Sequence, residues 1–237
     1  MSPKNYLTLG FNKISLLYLC IVLAMVSCKK KDKDPEPQKQ GVTINGGFYT
    51  TVKIGNQLWT SVNYNGAGGV NYNNGSNDAA YGKYYTRQEA QAIVLQDGWR
   101  LPSKADFDKL VSSFPTQTMN GYTALTSESL KQILSSSGWD INGNNASGFN
   151  ALPAGIVYID AGGNNIFRYR GIEAQFVSST NEMVTGGGTT KEATWTLYLH
   201  SEVITGQNPF TDFIGGVSGV SNSDSYRYSV RFVKDVN

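Results

Sequence analysis

The chain has 237 residues, with 20 Lys and Arg against 18 Asp and Glu, two cysteines and one histidine. Seven of the basic residues (Lys4, Lys13, Lys29, Lys30, Lys31, Lys33, Lys39) and three of the acidic ones (Asp32, Asp34, Glu36) precede Gly41. That leaves 13 against 15, a body near −2 that excludes phosphate-backbone binding and so nucleic acid as a partner. Cys20 and Cys28 also precede Gly41, which excludes disulfides, a thiolate nucleophile and a Cys-based metal site from residues 42–237.

Residues 1–27 read as a signal peptide: Lys4 and Lys13, then the apolar run Ile14 to Val26, then the small residue Ser27. The run is about 13 residues, short of the roughly 20 that cross a bilayer. It also lacks the polar face of a surface helix packed on a core. Ala24-Met25-Val26-Ser27-Cys28 resembles the lipobox of bacterial lipoproteins, with cleavage between Ser27 and Cys28 and lipidation of Cys28. Acyl chains anchor a protein stably once two or more are buried, so the expected first partner is a membrane. Lys29, where an Asp would favour inner-membrane retention, points to the outer membrane. The charged run Lys29 to Asp34 is similar to surface-export tags of Bacteroidetes lipoproteins, so the body is expected on the cell surface. Residues 28–41 are charged, proline-containing and poor in apolar side chains, a disordered tether.

Residues 42–237 are long enough for one sizeable core and read as a single domain. Two β-rich runs, Phe48 to Ile54 and Gln57 to Val62, flank Gly55-Asn56 and predict a hairpin. Thr86-Arg87-Gln88-Glu89 is a capping box opening a helix that the sequence carries on to Gly98. Ser103 caps a second helix whose stripe is Phe107, Leu110, Val111 and Phe114, ended by Pro115. A third, over Ser127 to Leu134, buries Leu130, Ile133 and Leu134. After Trp139 the period becomes two, with strands expected over 151–158, 171–178, 194–200 and 226–233. In the last, Tyr226, Tyr228, Val230 and Phe232 face inward and Arg227, Ser229 and Arg231 outward. Helices early and strands late predict an α+β fold, two to three helices packed on a mostly antiparallel sheet with many Gly/Asn loops.

Four segments in order carry a resemblance: Ile54-Gly55-Asn56-Gln57-Leu58-Trp59; Gly98-Trp99-Arg100-Leu101-Pro102-Ser103; Gly148-Phe149-Asn150-Ala151-Leu152-Pro153-Ala154-Gly155; and Ser229-Val230-Arg231-Phe232-Val233-Lys234-Asp235. A fifth, Ala174-Gln175-Phe176-Val177-Ser178-Ser179-Thr180, has Val177 where Trp is usual. Together they resemble the Fibrobacter succinogenes major paralogous domain, common in secreted and lipid-anchored proteins of Bacteroidetes and Fibrobacteres. The resemblance implies a C-type-lectin-like fold, distantly similar to formylglycine-generating sulfatase-modifying domains. It further leads us to expect Trp59, Trp99, Leu101, Phe149, Leu152, Phe176 and Val230 in one common core.

The chemistry available is sparse. Formylglycine-generating chemistry uses cysteine, which the body lacks. A Ser/His/Asp triad would need His200, and no Gly-x-Ser-x-Gly turn accompanies it. A carboxylate-pair glycosidase stays open, since its two acids need not be near in sequence. Trp139-Asp140-Ile141-Asn142 offers oxygens suited to calcium in a spacing unlike an EF-hand loop, and turn chemistry is the preferred reading. No cofactor is expected, with calcium as the one open alternative. Arg100, Asp140 and Asn142 are the candidate ligand-binding residues, and Tyr64, Tyr72 and Tyr122 are either sugar-stacking rings or loop anchors. The expectation is a non-catalytic surface lipoprotein that binds a glycan or a protein. The alternatives are an assembly component of a surface or fimbrial complex and a carbohydrate-active enzyme.

Overall fold

The computed structural model describes residues 40–74, 78–119, 122–186, 188–204, 210–221 and 223–236. Ser27 and Cys28, with the expected signal peptide, lipid site and tether up to Lys39, lie outside the described residues.

Among the described residues the strands form three sheets. In the first, β1 (Gly41–Ile44), β2 (Gly47–Ile54), β3 (Gln57–Thr60) and β12 (Val233–Asp235) are antiparallel in the order β1-β2-β3-β12. Asn45 and Gly46 both take positive φ, 48° and 82°, as a two-residue hairpin turn with right-handed strand twist requires. Gly55-Asn56 turns β2 into β3, the hairpin expected from the sequence. The second sheet has the order β4-β5-β10-β9-β8, from β4 (Thr116–Met119), β5 (Tyr122–Leu125), β8 (Glu173–Gly186), β9 (Thr189–Ile204) and β10 (Phe210–Ser221). The third is β11-β6-β7, from β6 (Ile156–Ile159), β7 (Asn165–Arg168) and β11 (Tyr226–Arg227).

The expectation of an α+β, C-type-lectin-like body with its helices in the first half is corrected: the fold is β-rich and mostly antiparallel, 44% strand against 15% helix. The α-helices among the described residues are short: α1 (Arg87–Gln91), α2 (Lys104–Ser112) and α3 (Ser127–Ile133). Their starts follow the caps. Thr86 and Glu89 form the full capping box of α1, and Ser103 forms one with Asp106 on α2. Their lengths do not follow. Helix α1 ends at Gln91, and the positive φ of Asp97 and Gly98 belongs to a turn beyond it rather than to its cap. The strand content is larger than expected because segments rich in Gly, Thr and Asn pair. Strand β10 is the clearest case. A Cβ at Gly215 would come within 2.8 Å of Leu130 Cδ1 and 3.0 Å of Leu125 Cδ1, so a larger residue there would displace the leucines that seat α3 and β5.

The segment 226–233, expected as one strand, is three short contacts. Tyr226 and Arg227 pair with β6, Tyr228 bridges Tyr85, and Ser229 bridges Phe176 in parallel before β12 begins at Val233. Both faces are covered, so Arg231 is fully buried although the alternation points it outward.

The expected common core divides. Trp59, Phe149 and Phe176 pack with α2, α3 and the long sheet, whereas Leu101 and Val230 belong to a second cluster with Tyr49, Tyr64, Tyr85 and Phe232. Trp99 is half-buried at the margin of the second cluster, and Leu152 is half-buried in neither.

Candidate functional site

The five segments that carry the family resemblance converge through two arginines, and both act as framework. Arg100, placed by the turn before α2, donates to Asp106 Oδ1 at 2.9 Å and Asp235 Oδ2 at 2.6 Å. Gln57 Nε2 donates to Asp106 Oδ1 at 2.8 Å and Asp235 Oδ1 at 3.1 Å. The start of β3, the start of α2 and the end of β12 are thus tied where Gln57 and Arg100 bridge two carboxylates, buried Asp106 and exposed Asp235. Arg231 does the same at the centre. It donates to Asn63 Oδ1 at 2.7 Å and to the carbonyls of Thr60, Phe149 and Asn150 at 2.7, 2.9 and 2.9 Å. Its guanidinium also lies over the rings of Phe149 and Phe176. Among the described residues no carboxylate is paired with it, and burial pushes its pKa down to about 9, so it is charged at neutral pH and held by neutral oxygens.

The other sequence-derived candidates are also structural. Asn142 Oδ1 accepts from the Trp139 amide at 3.0 Å, a side-chain bond back to the preceding loop backbone, and the Asp140 amide donates to Gly171 O at 2.8 Å. Among the described residues no group of three or more His, Cys, Asp or Glu could hold a metal ion. Tyr64, a candidate sugar-stacking ring, is instead buried against Tyr49, Tyr85 and Phe232. Tyr72 is half-buried, with Arg170 4.3 Å above its ring and Phe167 at its edge. The Tyr122 side chain lies outside the described residues.

A cleft of about 550 Å³ opens elsewhere, where the third sheet meets the face of β8, β9 and β10. Register builds its floor. Glu173 stands opposite His200 and Gln175 opposite Tyr198, so the four side chains share one face of the β8–β9 ladder. Tyr198 stacks on His200, ring centroids 6.2 Å apart, and His200 Nε2 lies 3.4 Å from Glu202. Tyr169 and Tyr226 form the rim. Tyr169 is 54% exposed and takes φ of 63°, uncommon for a bulky side chain. The turn that holds it is fixed from behind. Glu173 and Ile172 amides donate to Tyr169 O, Gly171 N donates to Pro153 O, and the Asp140 amide reaches Gly171 O. The Asp140–Asn142 loop is therefore a buttress of the cleft wall.

Glu173 is 5% exposed, and burial raises its pKa against the opposing effects of the Gln175 amide and His200. For a carboxyl raised on folding, the native state holds more protons between the unfolded and folded values. Its favourable contribution is full below the unfolded value and lost as pH rises through the folded one. Glu173→Gln should therefore raise the melting temperature at neutral pH relative to the wild type and leave it unchanged in acid. Melting curves across that range check this, and equal curves at neutral pH would refute it.

Of these cleft residues, only His200 stands out in the sequence, as a lone histidine. Glu173, Gln175 and Glu202 are ordinary polar residues until the register brings them to one face.

No curated protein and no solved structure matches the chain. The Fibrobacter succinogenes major domain matches residues 52–234, most of the chain and the five converging segments up to Lys234, and the protein belongs to that family.

Proposed function

We propose that this protein is a lipid-anchored, surface-displayed binding protein of the cell envelope. Its body would take a glycan, or a protein ligand, in the cleft rimmed by Tyr169 and Tyr226, without catalysis. The observation that carries the reading is the cleft's composition. The exposed ring of Tyr169 and the half-buried ring of Tyr226 stand beside Glu173, Gln175 and Glu202, the pairing of flat apolar faces with fixed polar groups that sugar recognition uses. The strained Tyr169 backbone supports it, because local strain concentrates at ligand sites. Anchoring rests on the lipobox at Cys28 and the polar run after it.

One experiment addresses both halves. Intact cells producing the full chain are stained with a panel of fluorescent oligosaccharides. Wild-type cells should stain with at least one sugar, and Tyr169→Ala should cut the affinity by about tenfold, the worth of one ring–sugar stack. Cys28→Ser should release the protein and abolish staining. Wild-type cells that bind nothing in the panel would overturn the glycan reading and favour the assembly role.

A further inference from the structure

We propose that the cleft selects a glycan bearing free amino groups, a hexosamine whose nitrogen is not acetylated. Its ammonium would lie toward Glu173 and Glu202 and its ring face against the tyrosines. This deepens the glycan-binding reading and rests on it.

The polar lining is biased toward acceptors. Glu173 and Glu202 contribute carboxyl groups, and none of the described lining residues is Lys or Arg. Gln175 is only 9% exposed. Its Nε2 is already directed at Glu173, and its Oε1 is buried with no hydrogen-bond partner. A buried acceptor left without a donor is costly, and a donor-rich ligand removes that cost. Uronic or sulfated sugars would add acceptors and negative charge to a site that already has both. N-acetylated sugars bring a carbonyl and a single N–H. A primary ammonium brings three donors and a positive charge.

Two further features favour charge over neutral hydroxyls. Among the described lining residues only His200 could carry positive charge beside Glu173, and burial still raises the Glu173 pKa against it, so a full ammonium placed there adds Coulomb attraction to a poorly compensated carboxyl. The ring faces of Tyr169, Tyr198 and Tyr226 also attract an ammonium by cation–π interaction. The same rings accept pyranose faces, which distinguishes an amino sugar from a simple amine.

The test uses the purified full-length chain in detergent, with calorimetric titration of four probes: a β-1,4-linked glucosamine tetraose, its fully N-acetylated counterpart, the matching glucose tetraose, and tetralysine. The glucosamine tetraose should bind at least about tenfold more tightly than the acetylated or glucose forms, a difference that shrinks with added salt. Glu202→Gln, with an unchanged melting temperature, should remove most of that preference and leave binding of the glucose form alone. Equal or tighter binding of the acetylated or glucose form would overturn the amino-sugar inference while the glycan reading stands. Tetralysine binding as tightly as the glucosamine tetraose would overturn it in favour of a peptide ligand. If no oligosaccharide binds, both readings fall together.

Discussion

Replacing Arg231 with methionine should lower stability by about 4 kcal/mol or more, enough to unfold a domain of ordinary stability at ambient temperature. Methionine keeps the apolar stem against Phe149 and Phe176 and removes the donors. Asn63 Oδ1 and the carbonyls of Thr60, Phe149 and Asn150 would then be buried without partners. Each such loss costs about 1–3 kcal/mol. Arg231→Lys keeps the charge but not the planar fork, and one ammonium cannot span four acceptors that approach three different nitrogens. It should fall between wild type and methionine. Urea unfolding followed by tryptophan fluorescence measures the series. A methionine variant with an unshifted midpoint would mean that the guanidinium does not hold these segments together.

The second large effect is expected at Trp59. Its indole is fully buried, stacked 5.7 Å from Phe107 of α2 and edge-on to Phe149 at 5.8 Å. Strand β3 is paired on both sides, with Val52 and Val233 opposite Trp59, so no neighbour can collapse into the space. Trp59→Ala should cost about 3–5 kcal/mol, and half-buried Trp99→Ala about 1 kcal/mol. Trp59→Phe should cost well under half of the alanine loss, because the indole Nε1 has no partner and its removal leaves none stranded. The same denaturation series ranks the three. If Trp99→Ala proved the more damaging, the placing of Trp59 at a cluster's centre and Trp99 at a margin would be wrong.

What was legible in the sequence was local. The caps at Thr86 and Ser103 and the turn at Gly55-Asn56 are each decided within four residues, and they stand where the sequence places them. The five family segments also predict a shared structural task, and the webs of Arg100 and Arg231 give that task its content. Fold class was not legible. A capping box marks where a helix begins and says little about where it stops, and glycine-rich β10 pairs along its length with β9 although glycine disfavours strands. The outward reading of Arg231 failed because period-two alternation treats a charged side chain as solvent-facing, and four oxygens from distant segments overrode that. The cleft was hidden for a related reason. Glu173, Gln175, Tyr198 and His200 meet only through the register of β8 on β9.

The pairing of β3 with β12 has a consequence for how the chain acquires its structure. Trp59 sits opposite Val233, and Arg231 bonds Thr60 and Asn63, contacts about 170 residues apart in sequence. Loop closure over that span is slow, and nothing rewards it until both ends are present. A nascent chain whose synthesis has not passed residue 235 lacks the strand that completes the first sheet and the cation that seats residues 149 and 150. Such a segment cannot hold its native core, so the body should fold only once residues up to about 235 have been made, rather than element by element as they emerge.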